Sequence, residues 1–178
     1  MVFVVDGYCE YKMVDIDAKE LYMQEINLHA IGIITLMDDK VNVILHPPYR
    51  DGLKGIEGHS HVSLLWWCDG CDDKSSRQTI ITSTPYTEDE MGVFATRSPQ
   101  RPNPIAITTT EVLHVDLNAG LLIVSWIDAE NGSPVIDIKP YIPSLDRVEN
   151  PITPEYLSNW PSSLEKSADF DWSSVFNY

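Results

Sequence analysis

Two arginines lie four residues apart in a proline-rich segment. Residues 92–108 read GVFATRSPQRPNPIAIT, with Arg97 and Arg101 between the apolar ends. Each proline of this segment fixes its own φ and pushes the preceding residue into extended geometry, so we predict a stiff loop. Guanidinium groups on such a loop are suited to bind a carboxylate or a phosphate. The spacing also allows a structural crossover whose arginines pair with the many acidic residues of this chain.

A second segment, residues 128–143, reads DAENGSPVIDIKPYIP. Its Asn131-Gly132 pair predicts a turn that presents backbone amides. A short strand after that turn then brings Asp137 and Lys139 to another proline-containing loop. This segment therefore combines amide donors with one acidic and one basic side chain.

A third segment, GHSHV at residues 58–62, ends a loop and begins a predicted strand. It places His61 at the first position of that strand. A histidine in such a position is more often structural. It is also the side chain whose ordinary proton affinity suits acid–base chemistry near neutral pH.

The sequence contains one CxxC motif, Cys68-Asp-Gly-Cys71, and a third cysteine at Cys9. This odd count fits a reducing compartment better than a disulfide framework. A zinc site needs two further ligands, which His59 and His61 offer, and thioredoxin-like redox chemistry is another possibility. We interpret the two motif cysteines as ordinary thiols that flank a turn.

Composition limits the function classes. The 178 residues include 27 acidic and 12 basic ones, for a net charge of −15, whereas a generic nucleic-acid-binding protein is basic. An RNA substrate therefore requires a local cluster of arginines. No apolar run approaches the roughly 20 residues of a membrane span, and no secretory leader is visible, so we predict a cytoplasmic protein. Neither a Rossmann fingerprint nor a P-loop is present.

Strand signals dominate after residue 28. We predict strands over residues 29–35, 41–45, 61–68, 78–83, 105–113, 121–127 and 134–138. Many strands at short spacing with few helices predict a mainly β fold, an antiparallel sheet or barrel with short flanking helices. We assign residues 1–28 to an N-terminal extension with a short strand and a helix, 29–146 to the barrel domain, and 147–178 to a tail whose prolines and aromatic residues pack on the body or on a partner.

Together the three segments resemble the TsaA/TrmO-type family of S-adenosylmethionine-dependent tRNA N6-threonylcarbamoyladenosine methyltransferases. The resemblance rests on ATRSPxRPNPI, on G[ST]PVxDIKPYxP some thirty residues later and on a Ser-His pair upstream, and it covers about residues 28–146. It implies a small antiparallel β-barrel that forms a homodimer and binds S-adenosylmethionine near the dimer interface. It also implies tRNA as substrate, with no role for DNA, a membrane or a metal.

The resemblance also implies the site residues. The cofactor pocket would draw on His61, Val62, Arg97, Ile107, Asp128, Asn131, Gly132 and Ser133. The acceptor would be held by Arg101, Asn103, Lys139 and Tyr141, with Arg50 and Lys54 adding to a positive rim. Asp137 and His61 are both candidates for the base that accepts the proton, and the sequence does not choose between them.

Three functions stay open from the sequence. The first is a methyltransferase that acts on a modified adenine in tRNA. The second is a methyltransferase of the same fold that acts on a smaller or non-RNA acceptor. Two observations favour it: the chain is strongly acidic, and it lacks the Pro-Arg-Gln segment that members of the family usually carry soon after the first strand. The third is a cofactor-binding module without catalysis.

Overall fold

The computed structural model describes residues 26–37 and 40–176. Its strands are β1 (Gly32–Met37), β2 (Lys40–Leu45), β3 (His61–Trp67), β4 (Ile81–Thr84), β5 (Thr87–Gly92), β6 (Ile105–Asp116), β7 (Leu121–Val124) and β8 (Pro134–Pro140). Its helices are α1 (Lys74–Arg77), α2 (Pro143–Asp146) and α3 (Leu164–Ser167), joined by several single 3-10 turns. The strand and helix predicted within residues 1–25 lie outside the described residues.

Six of the strands close into an antiparallel barrel in the order β1-β2-β7-β6-β3-β8, with β8 paired back on β1. The prediction of a small antiparallel barrel with short flanking helices is confirmed, and all seven predicted strands are present with shifted ends. Strand β5 was not predicted, because its sequence TEDEMG is acidic and lacks an alternating apolar pattern. It pairs only with β4, as a hairpin outside the barrel.

Apolar side chains of the strands fill the barrel interior. In β3 the residues from Val62 to Leu64 and Trp66 are buried, while His61 at its start and Leu65 before Trp66 are partly exposed. The other strands contribute in the same way, and the buried core includes Ile34, Val43, Leu45, Leu122, Val124 and Val135. The outward-facing residues of β3 and β6 are therefore left to build a surface site.

The C-terminal segment, residues 151–176, packs on the body, one of the two alternatives that the sequence left open. It does so through an aromatic cluster made of Tyr86, Tyr156, Trp160, Phe170, Trp172 and Phe176. Tyr86, in the turn between β4 and β5, stacks on Tyr156 at 5.8 Å between ring centroids and meets Trp160 edge-on at 5.3 Å. Within residues 26–37 and 40–176, no helix has the length and apolarity to cross a bilayer.

Barrel closure depends on a close approach at Gly32. Only two residue pairs join β1 to β8, Gly32 with Val135 and Ile33 with Pro134. A Cβ added at Gly32 would lie 2.5 Å from the backbone oxygen of Ile44 on β2. A backbone oxygen inside a strand ladder cannot move without breaking the pairing, so the position excludes a side chain.

We therefore expect Gly32→Ala to lower the free energy of unfolding by about 2–3 kcal/mol, the upper range for overpacking. Gly52→Ala is the matched control, because an added Cβ there meets nothing within 4 Å. Urea denaturation of both variants measures the difference. Equal midpoints for Gly32→Ala and Gly52→Ala would contradict the close approach.

Candidate functional site

A cavity lies between the barrel and the C-terminal segment. It has two adjoining lobes of about 1540 and 1430 Å³. His61, Arg97 and Asp128 line both lobes, and Trp160 faces them from the C-terminal segment. Binding sites for single small ligands occupy roughly 300–1,000 Å³, so this cavity has room for two reactants.

Arg101 holds the proline-rich loop together. Its Nε donates to the carbonyl of Ser98 at 2.9 Å, and its Nη2 donates to the carbonyls of Val93 and Thr96 at 2.7 Å each. The hydroxyl of Thr96 also donates to the Val93 carbonyl. Most donors of this guanidinium are thus occupied by backbone, which agrees with the structural alternative for Arg101, although its partners are carbonyls rather than acids.

Arg97 is the available guanidinium of the pair. Its side chain is exposed, it lines both lobes, and its Nη1 donates a long hydrogen bond of 3.5 Å to the carbonyl of Ile107. A cation that is held on a fixed loop with free donors is the group that a ligand carboxylate requires. Of the two loop arginines, Arg97 is therefore the one placed to bind a ligand.

Of the predicted cofactor contacts in residues 128–133, Asp128 alone lies at the cavity. Asp128 is exposed and lines both lobes. Asn131, Gly132 and Ser133 are not among the lining residues, because their turn is bonded along β1. The side-chain oxygen of Asn131 accepts from the amide of Leu36 at 2.8 Å, and the amide of Gly132, with φ of 103°, donates to a β1 carbonyl at 2.8 Å.

The start of β3 brings His61 into the cavity. Its Nδ1 lies 3.0 Å from the Ser60 hydroxyl, which leaves Nε2 as the nitrogen without a bond to a described residue. Its ring meets that of Tyr141 edge-on at 6.4 Å. Ile107, half-exposed on β6, lines the first lobe, whereas Val62 is fully buried in the core, paired with Thr110 and Pro140, and is not among the lining residues.

The remaining predicted residues lie apart from the cavity lining, Tyr141 excepted. Asp137 and Lys139 form an ion pair of 2.7 Å on the outer face of β8, and this carboxylate raises the pKa of the Lys139 ammonium. Asn103 is exposed and also outside the lining. The exposed Lys54 and the partly buried Arg50 are also outside the lining. Of the two candidate bases, His61 is the one at the cavity.

The C-terminal segment supplies a carboxylate that sequence reasoning did not identify. Glu165 lines both lobes. The Ser163 hydroxyl and the backbone amide of Glu165 hold the pKa of its carboxyl below the usual range, and the charges of His61 and Arg147 act in the same direction. The aromatic residues of the tail were a visible signal of packing, but nothing in the sequence indicated which surface they would cover.

The CxxC motif shows neither of the special chemistries considered for it. Burial raises the pKa of the Cys68 thiol to about 11, and the charges of Cys71 and Asp128 add to this effect. A redox-active cysteine needs the opposite shift. Among the residues that the structure describes, no group of three His, Cys, Asp or Glu side chains is placed to hold a metal ion.

A family model for the tRNA-methyltransferase O N-terminal domain matches residues 34–147, more than half of the chain. The chain belongs to this family. The family resemblance read from the three motif segments is thereby confirmed. The match ends before the C-terminal segment, so the tail side of the cavity is built by residues outside the family domain.

Relatives and solved structures agree with this assignment. The chain is 45% identical over 106 residues to an S-adenosyl-L-methionine-binding protein of Archaeoglobus fulgidus, covering 60% of this chain and 72% of that protein. It is 32% identical over 114 residues to the tRNA (adenine(37)-N6)-methyltransferase of Escherichia coli K12, covering 63% and 48%. A crystal structure of TrmO from Pseudomonas aeruginosa superposes with a TM-score of 0.60 at 28% identity, covering 76% and 63%.

These coverages show that the chain spans about half the length of the Escherichia coli enzyme and less than two thirds of the solved TrmO chain. The shared part is the barrel domain with its proline-rich loop. The activity of the whole enzyme is therefore a separate question from family membership.

We expect Arg101→Lys to destabilise the protein by about 2 kcal/mol, because one nitrogen of lysine cannot reproduce the planar fork by which Nε and Nη2 reach three carbonyls from two positions. Hydrogen bonds to charged groups contribute about 1.5–3 kcal/mol each. Arg97→Lys is the control, since exposed substitutions usually stay within about 0.5 kcal/mol. Thermal and urea unfolding measure the two effects. If Arg101→Lys is as stable as Arg97→Lys, the loop does not depend on the guanidinium.

Proposed function

We propose that this protein is an S-adenosylmethionine-dependent methyltransferase and that methyl transfer takes place in the cavity between the barrel and the tail. The observation that carries the proposal is that Arg97 and Asp128, which come from the two family motifs, line the same cavity. The names of the Archaeoglobus fulgidus and Escherichia coli relatives point to this cofactor and this chemistry.

The side chains present fit that cofactor. The free guanidinium of Arg97 would hold the carboxylate of its methionine part. The exposed carboxylate of Asp128 would take the ammonium group or the ribose hydroxyls, and the half-exposed Ile107 offers apolar surface to the adenine. Val62, Asn131, Gly132 and Ser133 remain predicted cofactor contacts, although none of them lines the cavity.

When bound, S-adenosylmethionine supplies an activated methyl group, so the protein has to align the acceptor, exclude water and accept one proton. We assign the proton to Nε2 of His61, because its Nδ1 is bonded to Ser60 and its ring lies at the cavity. The C-terminal segment excludes water from one side. Asp137, the other candidate base, is engaged by Lys139.

For the acceptor we propose N6-threonylcarbamoyladenosine in tRNA, in a cytoplasmic homodimer. The name of the Escherichia coli relative supports an adenine in tRNA. The homodimer rests on the family resemblance. Tyr141 and Arg101, which line the first lobe, are the proposed acceptor contacts in the cavity, and Asn103 and Lys139, which lie outside it, are proposed to contact the surrounding tRNA.

A second candidate is a methyltransferase for a smaller acceptor without phosphates. The observation in its favour is that carboxylates of Glu111, Asp128 and Glu165 line the cavity. Together with the net charge of −15 of the chain, these carboxylates repel a polyanion such as tRNA. Methylation assays on total tRNA, followed by mass analysis of the nucleosides, separate the two candidates. If the protein binds the cofactor but methylates neither kind of acceptor, it is a non-catalytic module.

We expect Arg97→Ala to weaken S-adenosylmethionine binding about tenfold or more, since it removes a charge-assisted bond to the cofactor carboxylate. Lys74→Ala is the control: it removes one positive charge from an exposed position that is outside the cavity lining. Isothermal calorimetry measures both affinities. Normal binding by Arg97→Ala would remove this arginine from the proposed pocket.

We also expect any tRNA binding to be weak and to decrease steeply with salt. Contacts to about three phosphates give a slope near −2 in a plot of log affinity against log salt concentration. Filter binding across a potassium chloride series measures this slope. A flat response would remove phosphate contacts from the account and favour the smaller acceptor.

A further inference from the structure

We infer that Phe94 and Trp126 form a stacking site for a planar nucleobase, beside the C-terminal segment of residues 151–176. The inference rests on the proposed function and goes further, because it names the place where the ring of the methyl acceptor binds. Neither residue belongs to the pocket that the sequence motifs predicted.

Both aromatic side chains are exposed where folding alone gives no reason for it. Phe94 is 80% exposed and Trp126 is 56% exposed, and both line the second lobe of the cavity. Scattered apolar residues on a surface are ordinary, but two large aromatic rings facing one cavity form an apolar patch of the kind that marks a binding site.

The backbone holds both rings outward. Val93, next to Phe94, is fully buried, and its carbonyl accepts from Arg101 and Thr96, so the short turn cannot rotate to bury the ring of Phe94. The amide of Trp126 donates to the hydroxyl of Thr110 at 3.2 Å.

The turn at Trp126 is fixed on both sides of the indole. The preceding amide, that of Ser125, donates to the carbonyl of Glu111 at 3.0 Å. The following residue, Ile127, is buried in the barrel core. Both aromatic faces are therefore presented by rigid backbone, which lowers the entropy cost of binding a flat ligand.

Polar groups at the same lobe suit the edge of a base. His61 and Glu111 line it and offer a ring nitrogen and a carboxylate, whereas Arg97 and Asp128 are assigned to the cofactor. Stacking faces together with hydrogen-bonding side chains are the combination by which proteins hold unpaired bases. A purely apolar ligand would leave His61 and Glu111 without partners.

The C-terminal segment completes the site and limits what can enter. Tyr156, Leu157 and Trp172 line the second lobe from the tail. Between residues 151 and 176 the chain carries four acidic residues, Glu155, Glu165, Asp169 and Asp171, against one Lys166. This charge leaves phosphates outside the tail.

The test is a titration of the full-length protein with adenosine and with N6-threonylcarbamoyladenosine as nucleosides, measured by equilibrium dialysis. We expect Phe94→Ala and Trp126→Ala each to weaken binding about tenfold or more, as expected for the loss of a stacking face. Trp126→Phe keeps an aromatic face and should retain most of the affinity. Leu113→Ala is the matched control, since Leu113 is also 56% exposed and lines neither lobe.

The inference is overturned if the two alanine variants bind as Leu113→Ala does, or if the wild-type protein binds neither nucleoside. Calorimetry with S-adenosylmethionine and methylation of total tRNA test the proposed function separately. A wild-type enzyme whose Trp126→Ala variant methylates tRNA with unchanged KM would retain the function and lose the stacking site. If nucleoside binding depends on both rings but the protein transfers no methyl group, the stacking site is retained and the proposed function is lost.

Discussion

The guanidinium of Arg101 is the interaction on which the candidate site depends. By donating to three carbonyls of residues 93–98, it fixes a loop that has no strand pairing of its own. That loop carries Phe94 and Arg97 into the cavity on opposite sides of the buried Val93 and Thr96. Arg101, which the sequence suggests as a ligand-binding residue, thereby stabilises the loop conformation that positions Arg97.

The cavity combines a half within the family domain with a half outside it. The barrel side comes from the segment that matches the family model, residues 34–147, and provides His61, Arg97 and Asp128. The other side comes from the C-terminal segment, held by ring contacts between Tyr86 and Trp160. Cofactor chemistry is thus expected to follow the family, whereas acceptor choice is expected to follow the tail.

The sequence allowed the barrel to be predicted because strand signals follow one another at short spacing with few helical patterns between them. The segment of residues 61–67, for example, is largely apolar and follows a glycine-containing loop. The hairpin strand β5 was missed because its acidic residues carry no such pattern. Its pairing is decided by β4 and by Tyr86 packing under the tail, which are tertiary effects.

The site was only partly predictable for the same reason. Arg97, His61 and Asp128 were found through motifs, and the structure brings them together. The position of Asn131 depends on bonding to the amide of Leu36, 95 residues earlier, which no local pattern reveals. Trp126 gave no signal either, because its exposure follows from the burial of Ile127 in the barrel.

The central claim is that the two motif segments converge on one ligand site between the barrel and the tail. A crystal structure of the protein grown with S-adenosylmethionine tests it most directly. The account predicts the cofactor in contact with both Arg97 and Asp128, beneath residues 151–176. A cofactor bound elsewhere, with the side chains of Arg97 and Asp128 both free, would contradict it.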